Sequence, residues 1–465
     1  MTAEQDHDAL IVGAGPAGMA AAVELVALGL RPLVVDEQPL PGGQIWRASE
    51  AARPERTRQA LGADYAAGTE RVAQFRQSGA DYLPGTRMWH LEPGFQAFMS
   101  QGGAAFSRRV PTVLLATGAQ ERPVPRQGWT LPGVLTVGAA QILLKSSAQI
   151  PDQPVWIAGS GPLPILYLHQ LLALGGRVAG FLDTTPPGAA RRVLPHLMGA
   201  LRGRSDLLKG LTWLRELRAR GVPVLRGIRD IRAEGTDRLE AVSFTTRDGQ
   251  TRREAASVLL LHEGIIPSVH ATLAMGCRHG WSKAQGSFFP ETDDTGMTSL
   301  SGLFVAGDGA GIAGAAAAEA RGRIAAQGIA RHLGRAPAPA AMAKARAALA
   351  RASAARGFID ALYPPPDPLP DLGDEVIVCR CEELTAGQIR AAAREHRGGP
   401  NQIKAFTRCG MGPCQGRQCG LTLTRILAAE YGQSPAETGF FRIRPPLKPV
   451  TLGELAALDE GEHAP

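Results

Sequence analysis

The hexapeptide Gly13-Ala14-Gly15-Pro16-Ala17-Gly18 constrains this chain more than any other stretch. It closes an apolar run, DALIVGA at 8–14, and opens a small-residue segment at 16–29; RPLVVD at 31–36 is then apolar again. That order predicts strand, tight turn, helix and parallel strand, a mononucleotide-binding unit. Gly13 permits the turn, Gly15 lets backbone approach a pyrophosphate, and Gly18 lets the helix close on the strand. The helix N-terminus offers free N–H groups and partial positive charge to that anion. Asp36 ends the second strand, where it is placed to take ribose hydroxyls, with Glu37 the close runner-up.

The pattern recurs. VWIAGSG at 155–161 reads as strand and turn, 163–174 as a Leu-rich helix, and RVAGFLD at 177–183 as the next strand. This second turn carries Pro164 where the third glycine belongs. Proline fits the first helical turn, but its ring threatens close helix–strand packing. Asp183 suits a ribose 2′-OH and disfavours a 2′-phosphate. Two readings stay open: NAD or another adenine nucleotide binds here, or the fold persists with that binding lost. Between the units, residues 80–118 carry short strand-like pieces ending in VLLATG, and GLFVAGD at 302–308 leads into a Gly/Ala-rich helix over 309–332. Residues 191–229 hold ten basic and two acidic side chains and predict an amphipathic helix followed by a strand. That stretch could dock a partner chain or simply face solvent.

Composition then breaks. Residues 336–356 are rich in Ala, Pro and Arg, and YPPPDPLPDLG at 363–373 resists regular structure. At 465 residues the chain has room for about three domains. The expected division is a split nucleotide domain (1–125 and 285–335), an inserted second one (126–284), a linker (336–373), a cysteine module (374–440) and a tail (441–465). Charged residues at 20% and a mean hydropathy near zero argue against a disordered chain and an integral membrane protein. With 5% aromatic residues and no Lys-rich block, nucleic-acid binding is not expected. The opening MTAEQDHD is acidic and lacks the basic region of a secretion signal, so a cytoplasmic protein is expected.

Six cysteines are too few for a disulfide scaffold, and five of them fall between 379 and 419. Four thiolates from two chain segments are what a [2Fe–2S] cluster needs. Cys379, Cys381, Cys409 and Cys414 are the expected ligands, with glycines of CGMGPC leaving N–H groups free to face sulfur. Cys414 directly precedes an expected helix over 416–431, which would carry Cys419 round to a buried structural position and leave it in reserve. Zinc is the competing metal, although zinc ribbons favour two CxxC knuckles and neither pair here has that spacing. A helix is expected to begin at Thr385, whose three-on Gln388 completes a capping box.

GAGPAG, the strand-end acid, PGGQ at 41–44, ATG at 116–118 and GLFVAGDGAG at 302–311 together resemble the flavoproteins with two dinucleotide-binding domains. The resemblance covers roughly residues 5–335. It implies an α/β fold of two Rossmann-like domains, the second inserted in the first, followed here by a small, mainly α [2Fe–2S]-binding module. It also implies FAD in the first unit. Gly43, Gln44, Thr117 and Gly118 would line the cofactor, and Asp308, following Gly307, would bond the ribityl chain; the plainer role for Asp308 is a helix cap. The disulfide reductases of that superfamily need a cysteine pair, and PGGQIWR contains none while Cys277 stands alone. Dithiol exchange is therefore excluded. The cysteine segment resembles the module of bacterioferritin-associated ferredoxin, whose second pair is CxxC where this one is CxxxxC.

The whole order resembles the A (alpha) component of bacterial two-component amine dehydrogenases, relatives of opine oxidase, D-hydroxyproline dehydrogenase and hydrogen cyanide synthase. By that resemblance a D-amino-acid-oxidase-like partner oxidises the C–N bond, with FMN an option at the interface between the two chains. This chain then passes electrons to an acceptor the sequence does not name. No His, Tyr or Arg constellation reads as an amine-oxidising site. The rival readings are a self-sufficient NAD(P)H:acceptor FAD oxidoreductase and a non-enzymatic nucleotide-binding scaffold with structural zinc.

Overall fold

The computed structural model describes residues 7–366 and 372–462; part of the Pro-rich stretch (367–371), the first six residues of the acidic N-terminus and the last three residues of the tail lie outside the described residues. A five-stranded parallel sheet forms the first unit, in the order Leu303–Val305, Val113–Leu115, Ala9–Val12, Pro32–Asp36, Asp81–Pro84. Its strands are apolar on both faces because both are covered, one by helices and the other by the three-stranded antiparallel sheet Arg87–Leu91, Gln96–Gln101, Ala104–Arg109 together with the cysteine module. Helix Pro16–Ala27 lies along helix Ala315–His332 on one side. That approach needs Gly322, whose added Cβ would stand 2.1 Å from the Ala17 carbonyl oxygen.

A second five-stranded parallel sheet runs Val224–Arg226, Val178–Asp183, Val155–Gly159, Val258–His262, Val134–Thr136. The chain crosses between the units twice, and the two crossings pair antiparallel as Ala119–Glu121 with Ile265–Pro267.

The basic stretch is not one helix. It breaks into Ala189–Val193, a 3-10 turn Leu194–His196, Leu197–Arg202 and Arg204–Ala219. Pro195 interrupts the ladder. Gly199 and Gly203 sit where a Cβ would strike the Ala354 carbonyl oxygen (2.3 Å) and the Ala355 Cβ (2.5 Å). The Gly/Ala-rich helix likewise starts at Ala315 rather than 309: a 3-10 turn, Gly307–Ala310, comes first, and the Asp308 carboxylate then holds the N–H groups of Ala313 and Gly314.

The linker carries helices Pro339–Ala352 and Arg356–Leu362. Beyond it, hairpin Ile377–Cys379/Leu384–Thr385 leads into helices Ala386–His396, Pro400–Thr407 and Gly420–Tyr431. The Thr385–Gln388 capping box is formed. The module has no core of its own: Cys379, Cys409, Cys419, Leu423 and Phe441 share one apolar cluster with Leu10, Leu33, Val35 and Leu303 of the first sheet. The tail returns to the first unit, with Leu447 N–H donating to the Trp89 carbonyl (2.6 Å), Lys448 paired with Glu37, and helix Leu452–Glu462 bonded through Glu454 to Arg87 (3.2 Å). Among the described residues, no helix is long and apolar enough to cross a membrane.

Candidate functional site

The predicted nucleotide residues gather at the carboxyl ends of the first sheet, where parallel sheets bind ligands. Gly13 adopts φ +109°, and its Cβ would lie 2.5 Å from the Ala116 carbonyl oxygen. A Cβ on Gly18 would lie 1.8 Å from the Gly13 carbonyl oxygen. Gly15 differs: its nearest neighbour would be the Gly43 Cα, at an ordinary 3.7 Å, while Gly43, at φ +60°, faces back at 2.9 Å. Two side-chain-free backbones thus confront each other at the helix N-terminus, a cradle suited to a pyrophosphate.

Asp36 turns inward. Its Oδ2 accepts from Ala14 N–H (2.6 Å) and its Oδ1 from Gln38 N–H (2.8 Å). Each oxygen keeps acceptor capacity for a ribose hydroxyl. Burial raises its pKa, against the pull of those N–H donors. Glu37 instead pairs with Lys448 of the tail. Gln44 is held by Arg47, whose guanidinium donates to Oε1 (3.1 Å). Thr117 is exposed, with its hydroxyl 3.5 Å from the Ser268 carbonyl oxygen, and Gly118 at φ +66° leaves open space on its Cβ side. Gly307, at φ +78°, closes on Ala17. Asp308 Oδ1 accepts from Ala313 N–H (2.8 Å) and Gly314 N–H (3.0 Å), which ties down the turn before the helix without capping it, since the cap is Gly314; its other oxygen has no protein hydrogen bond among the described residues.

Lys145 was not singled out from sequence. Helix Val137–Ser147 of the second unit buries it, and its ammonium donates to the Gln44 carbonyl and to Gln141 Oε1, both at 3.1 Å. The signal was Gln141 and Lys145 lying with Val137, Ala140 and Leu144 on one buried helix face. Burial, with repulsion from Arg47, lowers Lys145 to about 8. Between about 8 and its ordinary 10.5 the unfolded chain holds a proton the folded chain has released, so stability rises with pH across that window. At 1.36 kcal/mol per unit the rise is ~3 kcal/mol. Lys145→Met is expected to flatten the denaturation midpoint over that range relative to the parent protein, and parallel pH profiles would refute it.

The cysteines form two groups. Cys379, Cys409 and Cys419 are buried with their sulfurs all within 4.8 Å of one another. Cys381, exposed, meets Cys414 through a thiol–thiol hydrogen bond and accepts the Cys414 N–H. Each chain segment therefore feeds both groups. Thiols of Cys409 and Cys419, with the N–H groups of Gly410 and Glu382, donate to Cys379 and hold it well below the usual thiol range. Cys409 and Cys419 are pushed up in return. Close approach depends on Gly412, whose Cβ would stand 2.2 Å from that of Cys381.

Cys419 is buried, but not on a helix face pointing elsewhere. The helix begins at Gly420, not 416, because Gln415 (φ +52°) and Gly416 (φ +78°) are left-handed, and Cys419 caps it facing the other sulfurs. Of the four nearby cations, Arg408 is paired with Glu382 (2.9 Å) and Arg380 lies over the Trp129 ring (5.3 Å). Burial and then Arg444 lower the pKa of Lys404, against the pull of Cys419 and Cys409, and Arg417 donates to the Cys414 carbonyl (3.1 Å). The donor set suits a soft metal centre: five thiols, two of them in a pair set apart from the tight three, fit two irons better than one tetrahedral zinc.

Residues 7–322 match the family described as pyridine nucleotide-disulphide oxidoreductase, and residues 375–459 match the sarcosine oxidase A3 domain. The A component of opine oxidase from Rhizobium meliloti is 45% identical over 455 residues, covering 97% of this chain and 99% of that one. The chain belongs to the family of opine oxidase A components. Within it the chain is an oxidoreductase subunit. Hydrogen cyanide synthase subunit HcnB of Pseudomonas aeruginosa is 33% identical over 95% of this chain and 96% of its own. In fold, L-proline dehydrogenase from P. horikoshii superposes with TM-score 0.72 at 20% identity, over 97% of this chain and 79% of that one.

Proposed function

We propose that this chain is the electron-transfer subunit of a hetero-oligomeric dehydrogenase that oxidises the C–N bond of an amino acid, imino acid or opine, with substrate oxidation on a D-amino-acid-oxidase-like flavoprotein partner and a non-oxygen acceptor. In this reading FAD supplies a two-electron acceptor in the first unit and a [2Fe–2S] cluster a one-electron carrier in the module. Gly13, Gly15, Gly18 and Gly43 hold the pyrophosphate by backbone, Asp36 orients the ribose, and Gln44, Thr117, Gly118, Gly307 and Asp308 line the rest. The sulfurs of Cys379 and Cys381, from one segment, meet those of Cys409, Cys414 and Cys419, from the other.

One observation carries the reading: the sulfur group and the nucleotide strands share a single hydrophobic core. Arg417 bridges them, donating to the Cys414 carbonyl while its own carbonyl accepts from Gln120 (2.8 Å) of the strand after ATG. A partner is supported by the basic helices. Leu194, Leu197, Met198 and Leu201, at steps of 3, 1 and 3 residues, are together with Leu208 and Leu211 46–65% exposed. Arg191, Arg202, Arg204 and Arg215 flank them in the open. Such a face fits an apolar partner surface rimmed by carboxylates, whereas a second copy would set arginine against arginine. The partner contact is also where an FMN would belong.

The purified chain is expected to hold flavin, iron and acid-labile sulfide, and to reduce a dye with an amine substrate only when co-expressed with the flavoprotein partner. Leu197→Glu with Leu201→Glu is expected to end co-purification while leaving both cofactors in place. Sustained amine turnover by the isolated chain overturns the reading, and so does zinc in place of iron. Rapid flavin bleaching by NADH would favour a self-sufficient reductase instead.

A further inference from the structure

The five sulfurs of the module are not equally covered. Cys379, Cys409 and Cys419 are buried and Cys414 is half-buried, but Cys381 is exposed. The Cys381–Cys414 pair is therefore where the thiols meet solvent. Gly412 presses on Cys381, so its neighbours Met411 and Pro413 stand beside that pair, and both are exposed. Gln415 pins the loop by donating to the carbonyls of Met411 and Gly412, each at 3.2 Å. Electron transfer weakens steeply with distance, so a protein that takes electrons from the module must seat on this edge.

The edge is set in positive charge. Residues 397–418 carry four basic and no acidic side chains, and residues 439–448 carry three and none. The two segments lie together. A Cβ on Gly410 or Gly416 would strike the Phe441 ring (2.7 and 2.8 Å), and Arg442 N–H donates to Asn401 Oδ1 (2.7 Å). Burial and then Arg444 lower the pKa of Lys404, which puts Arg444 beside it. Arg442 and Arg444 are both exposed. Next to Cys381, Arg380 is exposed and held over the Trp129 ring (5.3 Å). Two carboxylates follow Cys381: Glu382 is paired with Arg408 (2.9 Å), and Glu383 is exposed with no salt bridge among the described residues. One unpaired carboxylate thus stands against Arg380, Arg442 and Arg444.

We propose that this edge is where electrons leave the chain, and that it docks a small acidic carrier protein that accepts one electron at a time. The proposal rests on the reading that the module holds a one-electron cluster, and it names the acceptor class which that reading leaves open. Met411 and Pro413 supply a small apolar centre and the arginines a positive rim, a composition suited to a brief redox contact steered by charge. One electron passes from the reduced module to the carrier, with no bond formed or broken. Two carriers in succession take the electron pair released by one C–N oxidation, and its protons go to water. A second copy of this chain would set arginine against arginine here. The flavoprotein partner is assigned a different surface, the helices carrying Leu194–Leu211.

Stopped-flow oxidation of the dithionite-reduced chain tests the proposal, with plastocyanin, an acidic one-electron copper protein, in one arm and cytochrome c, a basic one-electron haem protein, in the other. Both are strong one-electron oxidants, so charge rather than driving force separates them. At ~20 mM salt plastocyanin is expected to react about tenfold faster, and to lose most of that lead at ~300 mM, where the Debye length falls below ~8 Å. Arg380→Glu with Arg444→Glu is expected to slow the plastocyanin reaction about tenfold, within the range of electrostatic steering. Arg442→Glu with Arg444→Glu, which leaves the neighbour of the cysteines alone, should slow it several-fold. The iron–sulfur spectrum and oxidation by a small neutral quinone should stay unchanged in both variants. A faster reaction with cytochrome c overturns the proposal, as does an unaltered plastocyanin rate in the two variants. Loss of that rate once the flavoprotein partner is bound overturns it too, since the partner would then be what covers this edge. A chain without an iron–sulfur spectrum overturns the underlying reading as well, and shows before any carrier is added.

Discussion

Gly18→Ala is expected to cripple folding of the first unit, whereas Gly15→Leu should fold and lose its flavin. The two glycines sit three residues apart in one motif, but their surroundings differ. A Cβ on Gly18 would stand 1.8 Å from the Gly13 carbonyl oxygen and 3.2 Å from the Ile11 side chain. Backbone cannot yield as a flexible side chain does, so the helix must lift off the strand. Overpacking of this kind costs about 3 kcal/mol or more, a large share of the ~5–15 kcal/mol that holds a domain together. A fall of roughly 10 °C in Tm would follow.

At Gly15 the backbone is extended (φ −80°, ψ −174°), and the nearest atom to a Cβ is the Gly43 Cα at 3.7 Å. Leucine there costs the fold little, but its branches fill the gap between the two glycine backbones. The expected result is a native circular dichroism spectrum without the flavin absorption bands. Asp36→Ala should weaken flavin binding by about 1–3 kcal/mol, the range for an unpaired buried polar group. Full flavin occupancy in Gly15→Leu would move the cofactor out of this cradle.

The contrast explains why the two units were legible in the sequence. Gly13, Gly18 and Gly159 are fixed by backbone approaches of 2.5, 1.8 and 1.8 Å, and a constraint that hard leaves glycine at a fixed spacing after an apolar run. The Thr385 capping box was legible for a similar reason, since donor and acceptor lie three residues apart. What escaped was set by distant partners. The basic stretch breaks at Gly203, which lies against Ala355, and within its middle helix Gly199 lies against Ala354; both partners come from far along the chain. Lys145 is buried against Gln44, also remote in sequence, and helical periodicity marks such a residue without naming its partner. His262 was not singled out from sequence, because its partner Glu121 is brought near by the crossing between the units.

The facing of Cys419 was missed for a more local reason, and it sets up the largest effect expected in the module. Counting about 100° per residue from a helix start at 416 turned its sulfur away, but two left-handed residues delay that start to Gly420. Cys379 is the hub of the resulting group, taking hydrogen bonds from the thiols of Cys409 and Cys419 and from the N–H groups of Gly410 and Glu382. Serine there keeps the shape but replaces a soft sulfur with a hard, weakly acidic hydroxyl, and no other cysteine of the first segment joins Cys409 and Cys419 in the buried group. Cys379→Ser is therefore expected to remove the iron–sulfur absorption and most of the bound iron while flavin stays in place. Cys381→Ser and Cys414→Ser should each strip the exposed pair and give the same loss. Cys409 and Cys419 compete for one place beside Cys379, so a single serine at either should shift the spectrum less than Cys379→Ser, and serine at both should abolish it. Iron, sulfide and flavin measured on the same samples decide the matter: a native spectrum in Cys379→Ser would rule out the cluster at this site, and a native spectrum in the double variant would reduce both thiols to packing.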